Sequence, residues 1–171
     1  MDRTLITILQ FSPMQPVEGT GLPLHIDTYA LARGGKIAFS NYWIVENEYV
    51  AAVLTSMERL KIPRLAVSLL DKGLNNKAPL KLVLSGGNVY PLEALDPIIR
   101  YCLRDWIFCR LYYERDFYIT FGHDMTMYIG VMGRDFVNPI PQSTALSCVD
   151  VSERVIDTSF HFFGAVPPTV I

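Results

Sequence analysis

The side chains in this sequence that could support acid–base or metal chemistry are three histidines and three cysteines. His25 lies two residues before Asp27, and His123 directly precedes Asp124, so a carboxylate could orient either imidazole. Neither pair belongs to a zinc motif such as HExxH. A metal- or histidine-dependent enzyme would need His25, His123 and His161 to meet in the folded chain, and this function stays open as an alternative.

The three cysteines, Cys102, Cys109 and Cys148, are an odd number without paired spacing. This pattern predicts buried free thiols and no disulfide framework. A glycine pair in residues 85–91 lacks the GxxxxGK[ST] pattern of a phosphate-binding loop, so we predict a plain turn there. There is no GxSxG nucleophile motif. We therefore predict no catalytic residues, no bound metal and no cofactor.

Length and composition predict one domain over residues 1–171, because half of the residues are hydrophobic and can fill one sizeable core. The formal charge of −2 argues against a nucleic-acid partner, which would favour a basic domain. No apolar run is long enough for a membrane helix, and the N-terminus does not resemble a signal peptide. These features predict a cytoplasmic protein without membrane contact, and they leave the oligomeric state undetermined.

Residues 46–61 are predicted to form an amphipathic helix, because their apolar residues recur at three- and four-residue spacing. Glu46 and Glu48 would lie in its first turn, and Arg59 and Lys61 in its last, where each charge complements the helix dipole. Pro63 would prevent continuation.

A second helix is predicted over residues 97–105, with Asp96 as the N-cap and Pro97 at the first helical position. Its apolar residues share one side. Arg100 and Arg104 are expected to face solvent.

Several other segments have strand character. We predict an interior strand at 5–11, strands within 36–44, a short strand at 81–84 and a strand at 145–151. Residues 24–35, 64–73 and 152–163 fit either a helix or a strand.

The stretch 106–131 has the clearest pattern. Apolar residues alternate with polar or aromatic ones across 107–113, 117–121 and 125–131, and short polar connectors separate these segments. The pattern predicts a three-stranded antiparallel meander with one strictly apolar face, which must pack against the helices. The fold class is therefore α+β: an antiparallel β-sheet packed against two or more helices.

The opposite face of this meander would carry Arg110, Tyr112, Tyr118, Thr120, Thr126 and Tyr128. Tyrosine and arginine are enriched at the energetic centres of protein interfaces. The connectors add acidic residues and one histidine. The predicted partner-binding residues are Arg110, Tyr112, Glu114, Asp116, Tyr118, His123, Asp124 and Tyr128. The alternatives are that the tyrosines are ordinary strand formers, or that a second layer covers them.

The runs RDWIFCRLY (104–112) and FYITFGHDMTMYIGV (117–131) resemble a segment of small bacterial immunity proteins from polymorphic-toxin and contact-dependent inhibition systems. Members often carry an aromatic strand, an FG-aromatic-D turn and an MYIG-like strand. His123 stands where that turn has an aromatic residue.

The resemblance implies a non-catalytic protein that binds a cognate toxin and blocks its active site or its activation. The acidic turn residues Glu114, Asp116 and Asp124 would suit a basic nuclease, because opposite charges speed encounter. A structural or adaptor subunit without a toxin partner is the remaining alternative.

Overall fold

A computed structural model describes residues 6–14, 39–72, 87–104, 106–122, 125–133 and 136–152 of the chain. Within these residues there are seven strands, two α-helices and one turn of 3₁₀ helix. The elements are β1 (Ile6–Pro13), α1 (Phe39–Leu60), β2 (Arg64–Lys72), β3 (Val89–Pro91), the 3₁₀ turn (Leu92–Ala94), α2 (Leu95–Leu103), β4 (Ile107–Tyr113), β5 (Phe117–Phe121), β6 (Met127–Met132) and β7 (Leu146–Asp150).

The described strands form one antiparallel sheet in the order β3-β2-β4-β5-β6-β1-β7. The predicted meander is its centre, as β4, β5 and β6. The first strand of the chain inserts between β6 and β7, which confirms that it is an interior strand. The predicted α+β class, with an antiparallel sheet packed against helices, is confirmed.

The core lies between the helices and one face of the sheet. Inward residues of the meander are almost inaccessible to solvent, with Leu111, Ile119 and Ile129 each 0% exposed. Cross-strand pairing brings Leu111 beside Ile119, and Ile119 beside Ile129, so the three form one apolar row. Buried residues of both helices belong to the same cluster. The apolar face was therefore predicted correctly.

The first helix is longer than predicted, and the predicted strand at 36–44 is wrong over residues 39–44, which belong to α1. Its first turn contains no acidic residue, so Glu46 and Glu48 lie further inside the helix than expected; Arg59 lies in the last turn, as predicted. At the end, Ile62 N–H donates to the Met57 carbonyl at 2.8 Å and Lys61 has φ of 57°. This is a Schellman-type end, with Lys61 in the left-handed conformation usually taken by glycine.

The second helix spans Leu95–Leu103, and Asp96 is not its N-cap. The cap position is Ala94, without a side-chain hydrogen bond, while Asp96 lies inside the first turn and accepts hydrogen bonds from Arg100. The 3₁₀ turn leads directly into the helix, so an N-cap side chain at Asp96 is not required.

Three other predicted segments can be compared with the structure. Residues 64–73, which fitted either helix or strand, contain β2. The predicted plain turn at 85–91 instead ends in the short edge strand β3, which pairs with β2. The predicted strand at 145–151 is confirmed as β7. The predictions at 24–35, at 81–84 and beyond residue 152 lie outside the described residues. No helix in the described part of the chain is long and apolar enough to cross a membrane.

Candidate functional site

The sheet face opposite the helices carries the side chains predicted to bind a partner. Tyr112 pairs with Tyr118 across β4 and β5, and Thr120 pairs with Tyr128 across β5 and β6. Arg110 is two residues before Tyr112 and therefore lies on the same face. We call these five residues the tyrosine face. Each of them is partly buried.

The tyrosine face differs from the prediction at one position and continues beyond the meander. Thr126 precedes β6 and is 5% exposed, so it is not an exposed member of this face. On the neighbouring strand, Gln10 pairs with Tyr128, and Val149 of β7 pairs with Gln10. Ile8 is 2% exposed, whereas Val149 is 48% exposed. On this side of the sheet, β1 is therefore covered from solvent at Ile8, whereas β7 is accessible to solvent at Val149.

A glycine fixes the position of one tyrosine ring. Tyr118 pairs with Gly130, and a Cβ atom built on Gly130 would lie 2.0 Å from Cε2 and 2.1 Å from Cζ of the Tyr118 ring. The ring therefore lies directly over the Gly130 backbone, in space that any other residue would fill. The absence of a side chain at Gly130 is thus what lets the Tyr118 ring occupy this position.

The electrostatic state of the face follows from its partial burial. Burial raises the pKa of Tyr118 to about 12, and the positive charge of Arg110 opposes that rise. Burial lowers the pKa of Arg110, and Tyr118 opposes this. At neutral pH, Tyr118 is a neutral phenol that can donate a hydrogen bond, and Arg110 is a guanidinium cation. Both side chains therefore carry hydrogen-bond donors on this face of the sheet.

The β4–β5 hairpin places acidic residues at one end of the tyrosine face. Glu114, Arg115 and Asp116 are all exposed. Glu114 has φ of 50°, and the Asp116 N–H donates to the Tyr113 carbonyl at 3.3 Å. Met132 N–H donates to the Asp116 carbonyl at 2.8 Å, which ties the turn to the end of β6. The connector is a defined turn, with Glu114 and Asp116 accessible to a partner.

Two predicted contact residues, His123 and Asp124, lie outside the described residues. On either side of them, the Gly122 N–H donates to the Thr126 carbonyl at 2.6 Å. His25 and His161 also lie outside, so the structure does not test the meeting of histidines on which the enzyme alternative depends. In the parts of the chain that the structure covers, there is no group of three His, Cys, Asp or Glu residues suited to hold a metal.

A second cluster of arginine and aromatic residues joins the two helices, and it was not predicted. Glu46 is 0% exposed and receives hydrogen bonds from Arg104 Nε at 2.7 Å and Nη2 at 2.8 Å. Arg100 Nη1 donates to Glu46 at 2.9 Å, and Tyr42 Oη donates at 2.9 Å. Arg100 also contacts Asp96 through two hydrogen bonds. The expectation that Arg100 and Arg104 face solvent is wrong, because both close on a buried carboxylate.

Tryptophan rings cover the two guanidinium groups. The Arg100 and Arg104 guanidinium carbons lie 5.1 and 5.6 Å from the centre of the Trp43 ring, and Arg104 is 5.4 Å from that of Trp106. Burial and then the Glu46 carboxylate raise the pKa of Tyr42, which keeps this phenol neutral and able to donate. Two carboxylates and two guanidinium groups balance within the cluster. Its arrangement fits a structural tie between α1 and α2.

One sequence signal could have located part of this cluster. Asp96, Arg100 and Arg104 follow one another at four-residue spacing, which places them on one side of a helix. Glu46 lies 54 residues before Arg100, and no local pattern connects them. The acidic partner could only be identified from the packing of α1 against α2.

A second acidic residue of α1 also has a structural role. Glu48 accepts a hydrogen bond from the Ser143 hydroxyl and a 3.1 Å bond from the Ala145 N–H. The Ser143 hydroxyl in turn accepts from the Leu146 N–H at 2.8 Å. Glu48 therefore fixes the entry to β7 and is not available to a ligand.

A shallow groove of about 590 Å³ lies between the end of α1 and the 3₁₀ turn, lined mainly by Leu54, Met57, Glu58, Lys61, Leu92 and Glu93. It is remote in sequence from the tyrosine face. Its two glutamates and one lysine do not form a recognisable catalytic arrangement.

Comparisons with protein-family models, with curated proteins and with solved structures found no match to this chain. The features of this chain that bear on its function are the geometry of the tyrosine face and the two sequence runs of the meander. Both features lie on the same three strands.

Proposed function

We propose that this protein acts by binding another protein, as a non-catalytic immunity or inhibitor protein that neutralises a cognate bacterial toxin. The observation that carries the proposal is the tyrosine face, on which Arg110, Tyr112, Tyr118 and Tyr128 lie in register on three central strands. These residue types supply large contact area with a hydrogen-bonding end.

The rigidity of the surface supports binding. Strands hold side chains more precisely than loops, and the Tyr118 ring is additionally fixed by its contact with Gly130. A surface that is already ordered loses little conformational entropy when a partner binds. The tyrosines are only partly buried, so part of each side chain is accessible to a partner.

The charge distribution favours a basic partner at the hairpin end. Glu114 and Asp116 are exposed there, with one opposing charge from Arg115. A toxin with a basic active-site cleft, such as a nuclease, would be attracted to this end, while Arg110 and the tyrosines would supply the close contacts.

The direct experiment uses the protein encoded by the neighbouring reading frame as the probe. Co-expression of the present chain should relieve any growth inhibition that the neighbour causes, and calorimetry should detect a complex of the two purified proteins. If growth inhibition is relieved and the present chain does not chemically change the neighbouring protein, the chain acts as an inhibitor and not as an enzyme. If the two proteins bind but growth inhibition is not relieved, the adaptor alternative is favoured.

The binding surface is tested by the double substitution Tyr118→Ala and Tyr128→Ala. If both residues are hot spots, affinity should fall by about 2 kcal/mol or more, which is about 30-fold, while the fold is retained. The matched control is Ile44→Ala with Val137→Ala, at exposed apolar side chains outside the face, 51% and 71% accessible. Equal affinity of the tyrosine variant and this control would remove the assignment of the face.

A further inference from the structure

Cys102 and Cys109 are buried free thiols, as predicted, whereas Cys148 is only partly buried. The side chains of Cys102 and Cys109 meet in the core. Cys102 lies in α2 and Cys109 in β4, and their Sγ atoms are 3.3 Å apart. They are 5% and 8% exposed. The Trp106 N–H donates to the Tyr101 carbonyl at 2.9 Å, which connects the end of α2 with the residue that precedes β4.

The two Sγ atoms are close enough to form a disulfide bond after a small movement. A disulfide has a sulfur–sulfur distance of about 2.0 Å, so the two sulfurs need to approach by roughly 1.3 Å. Rotation of the two side chains can supply much of such a shift. The remaining cysteine, Cys148, lies on β7, and three strands separate β7 from β4 in the sheet. At about 4.8 Å per strand, it is too far away to compete within one molecule.

We propose that Cys102 and Cys109 form a reversible intramolecular disulfide when a peroxide oxidises the protein. The thiolate sulfur of one cysteine attacks a peroxide oxygen, the O–O bond breaks, and a sulfenic acid and hydroxide form. The sulfur of the second cysteine then attacks the sulfenic sulfur, which forms the S–S bond and releases water. In total, two thiols lose two electrons and two protons, and hydrogen peroxide is reduced to two water molecules.

The surroundings of the pair determine the rate of oxidation. Burial raises the pKa of the Cys102 thiol well above its ordinary value, and the hydrogen bond with Cys109 raises it further. The thiolate is the attacking species, so oxidation should be slow at pH 7 and faster at pH 9. A small uncharged oxidant suits this site better than a bulky disulfide, because both sulfurs are nearly inaccessible to solvent.

The bond would connect α2 covalently to the strand that carries part of the tyrosine face. Cys109 is the neighbour of Arg110, and the two side chains lie on opposite faces of β4. Closing this short loop restricts the unfolded chain, so the oxidised protein should be more stable than the reduced one. The disulfide can form whether or not the protein binds a toxin, because its formation depends only on the two cysteines in the core.

The test treats the full-length, folded protein with hydrogen peroxide at pH 7 and pH 9 and follows the intact mass. Trypsin then distinguishes the pair, because it cleaves after Arg100, Arg104 and Arg110. Residues 101–104 and 105–110 become separate peptides with one cysteine each, and only a disulfide holds them together. Cys148→Ser removes the third thiol and should leave the result unchanged, whereas Cys102→Ser and Cys109→Ser should each abolish the linked peptides.

The expected result is a loss of about 2 Da, faster at pH 9, with the two peptides linked. The thermal midpoint should rise by about 4 °C or more, and dithiothreitol should reverse both changes. Methionine sulfoxide adds oxygen independently of the cysteines, so the peptides decide the outcome. The proposal is overturned if, in the folded Cys148→Ser protein, peptides 101–104 and 105–110 stay unlinked, whether their cysteines are unchanged or carry added oxygen. A linked product with a lower midpoint than the reduced protein would overturn the stabilising role.

Discussion

Arginine and aromatic side chains meet at two places in the described part of the chain that differ in their surroundings. Between the helices, Arg100 and Arg104 close on Glu46, a carboxylate that is 0% exposed, and the charges balance internally. On the tyrosine face, Arg110 lies among partly buried tyrosines, with acidic residues displaced to an exposed hairpin. The same residue types can therefore build a structural tie or, as we propose for the tyrosine face, a recognition surface. A fully buried carboxylate partner distinguishes the first from the second.

One face of the sheet packs against the helices and the opposite one is the tyrosine face. The substitution Ile119→Asp is the most severe test of this assignment. Ile119 is 0% exposed in the central strand of the meander. An unpaired carboxylate there should cost about 4 kcal/mol or more and unfold the protein, as measured by circular dichroism and urea denaturation.

Thr120→Asp is the matched control for this substitution, because Thr120 is the next residue and lies on the tyrosine face. It should cost only about 1 kcal/mol, since its side chain remains partly accessible to water. A folded Ile119→Asp protein combined with an unfolded Thr120→Asp protein would mean that the faces are reversed.

The helix cluster is tested by Glu46→Gln, which keeps the shape of the side chain and removes its charge. Arg104 would lose its buried counter-charge and one of its two acceptor oxygens, because the glutamine amide nitrogen donates and does not accept. Loss of one partner of a buried ion pair typically costs about 3–5 kcal/mol, which urea denaturation can measure.

Glu58→Gln serves as the comparison, because Glu58 is an exposed glutamate on the same helix. It should leave stability within about 0.5 kcal/mol of the unmodified protein. Similar stabilities for the two variants would show that the cluster does not tie the helices together, and the contrast between the two arginine sites would no longer hold.

The meander could be predicted because its information is local. In β4 and β5, each residue alternates between the two faces, and the connecting turns are short. The start of α1 could not be predicted in the same way, because aromatic and β-branched residues such as Tyr42 and Val45 favour strands in isolation. Burial of Tyr42 against Glu46, one helical turn later, overrides that preference.

The predicted solvent exposure of Arg100 and Arg104 failed for a related reason. Charged residues on a short helix are usually solvated, and this rule holds unless another element supplies a buried counter-charge. Here Glu46 comes from a helix more than fifty residues earlier in the chain. The contact between Cys102 and Cys109 also depends on tertiary structure, because the turn between α2 and β4 determines whether the two sulfurs face each other.

The smallest expected effect on stability is that of Gly130→Ala. Whether this change stabilises or destabilises the protein shows whether the Tyr118 ring occupies the space over Gly130. In an open strand position, Gly→Ala usually stabilises by about 0.5–1 kcal/mol, because glycine loses more conformational freedom on folding. Here a Cβ atom would lie 2.0 Å from the Tyr118 ring, so the ring must leave its position over the backbone. Gly130→Ala should therefore destabilise the protein by about 1 kcal/mol.

In the Tyr118→Ala background the obstruction is absent, and the same Gly130→Ala change should become neutral or stabilising. A double-mutant cycle measured by urea denaturation should thus give a coupling of about 1–2 kcal/mol between the two positions. Additive effects would mean that the ring is not held by Gly130. The tyrosine face would then lose the pre-ordered geometry on which the proposed recognition depends, while the structural tie between the helices would be unaffected.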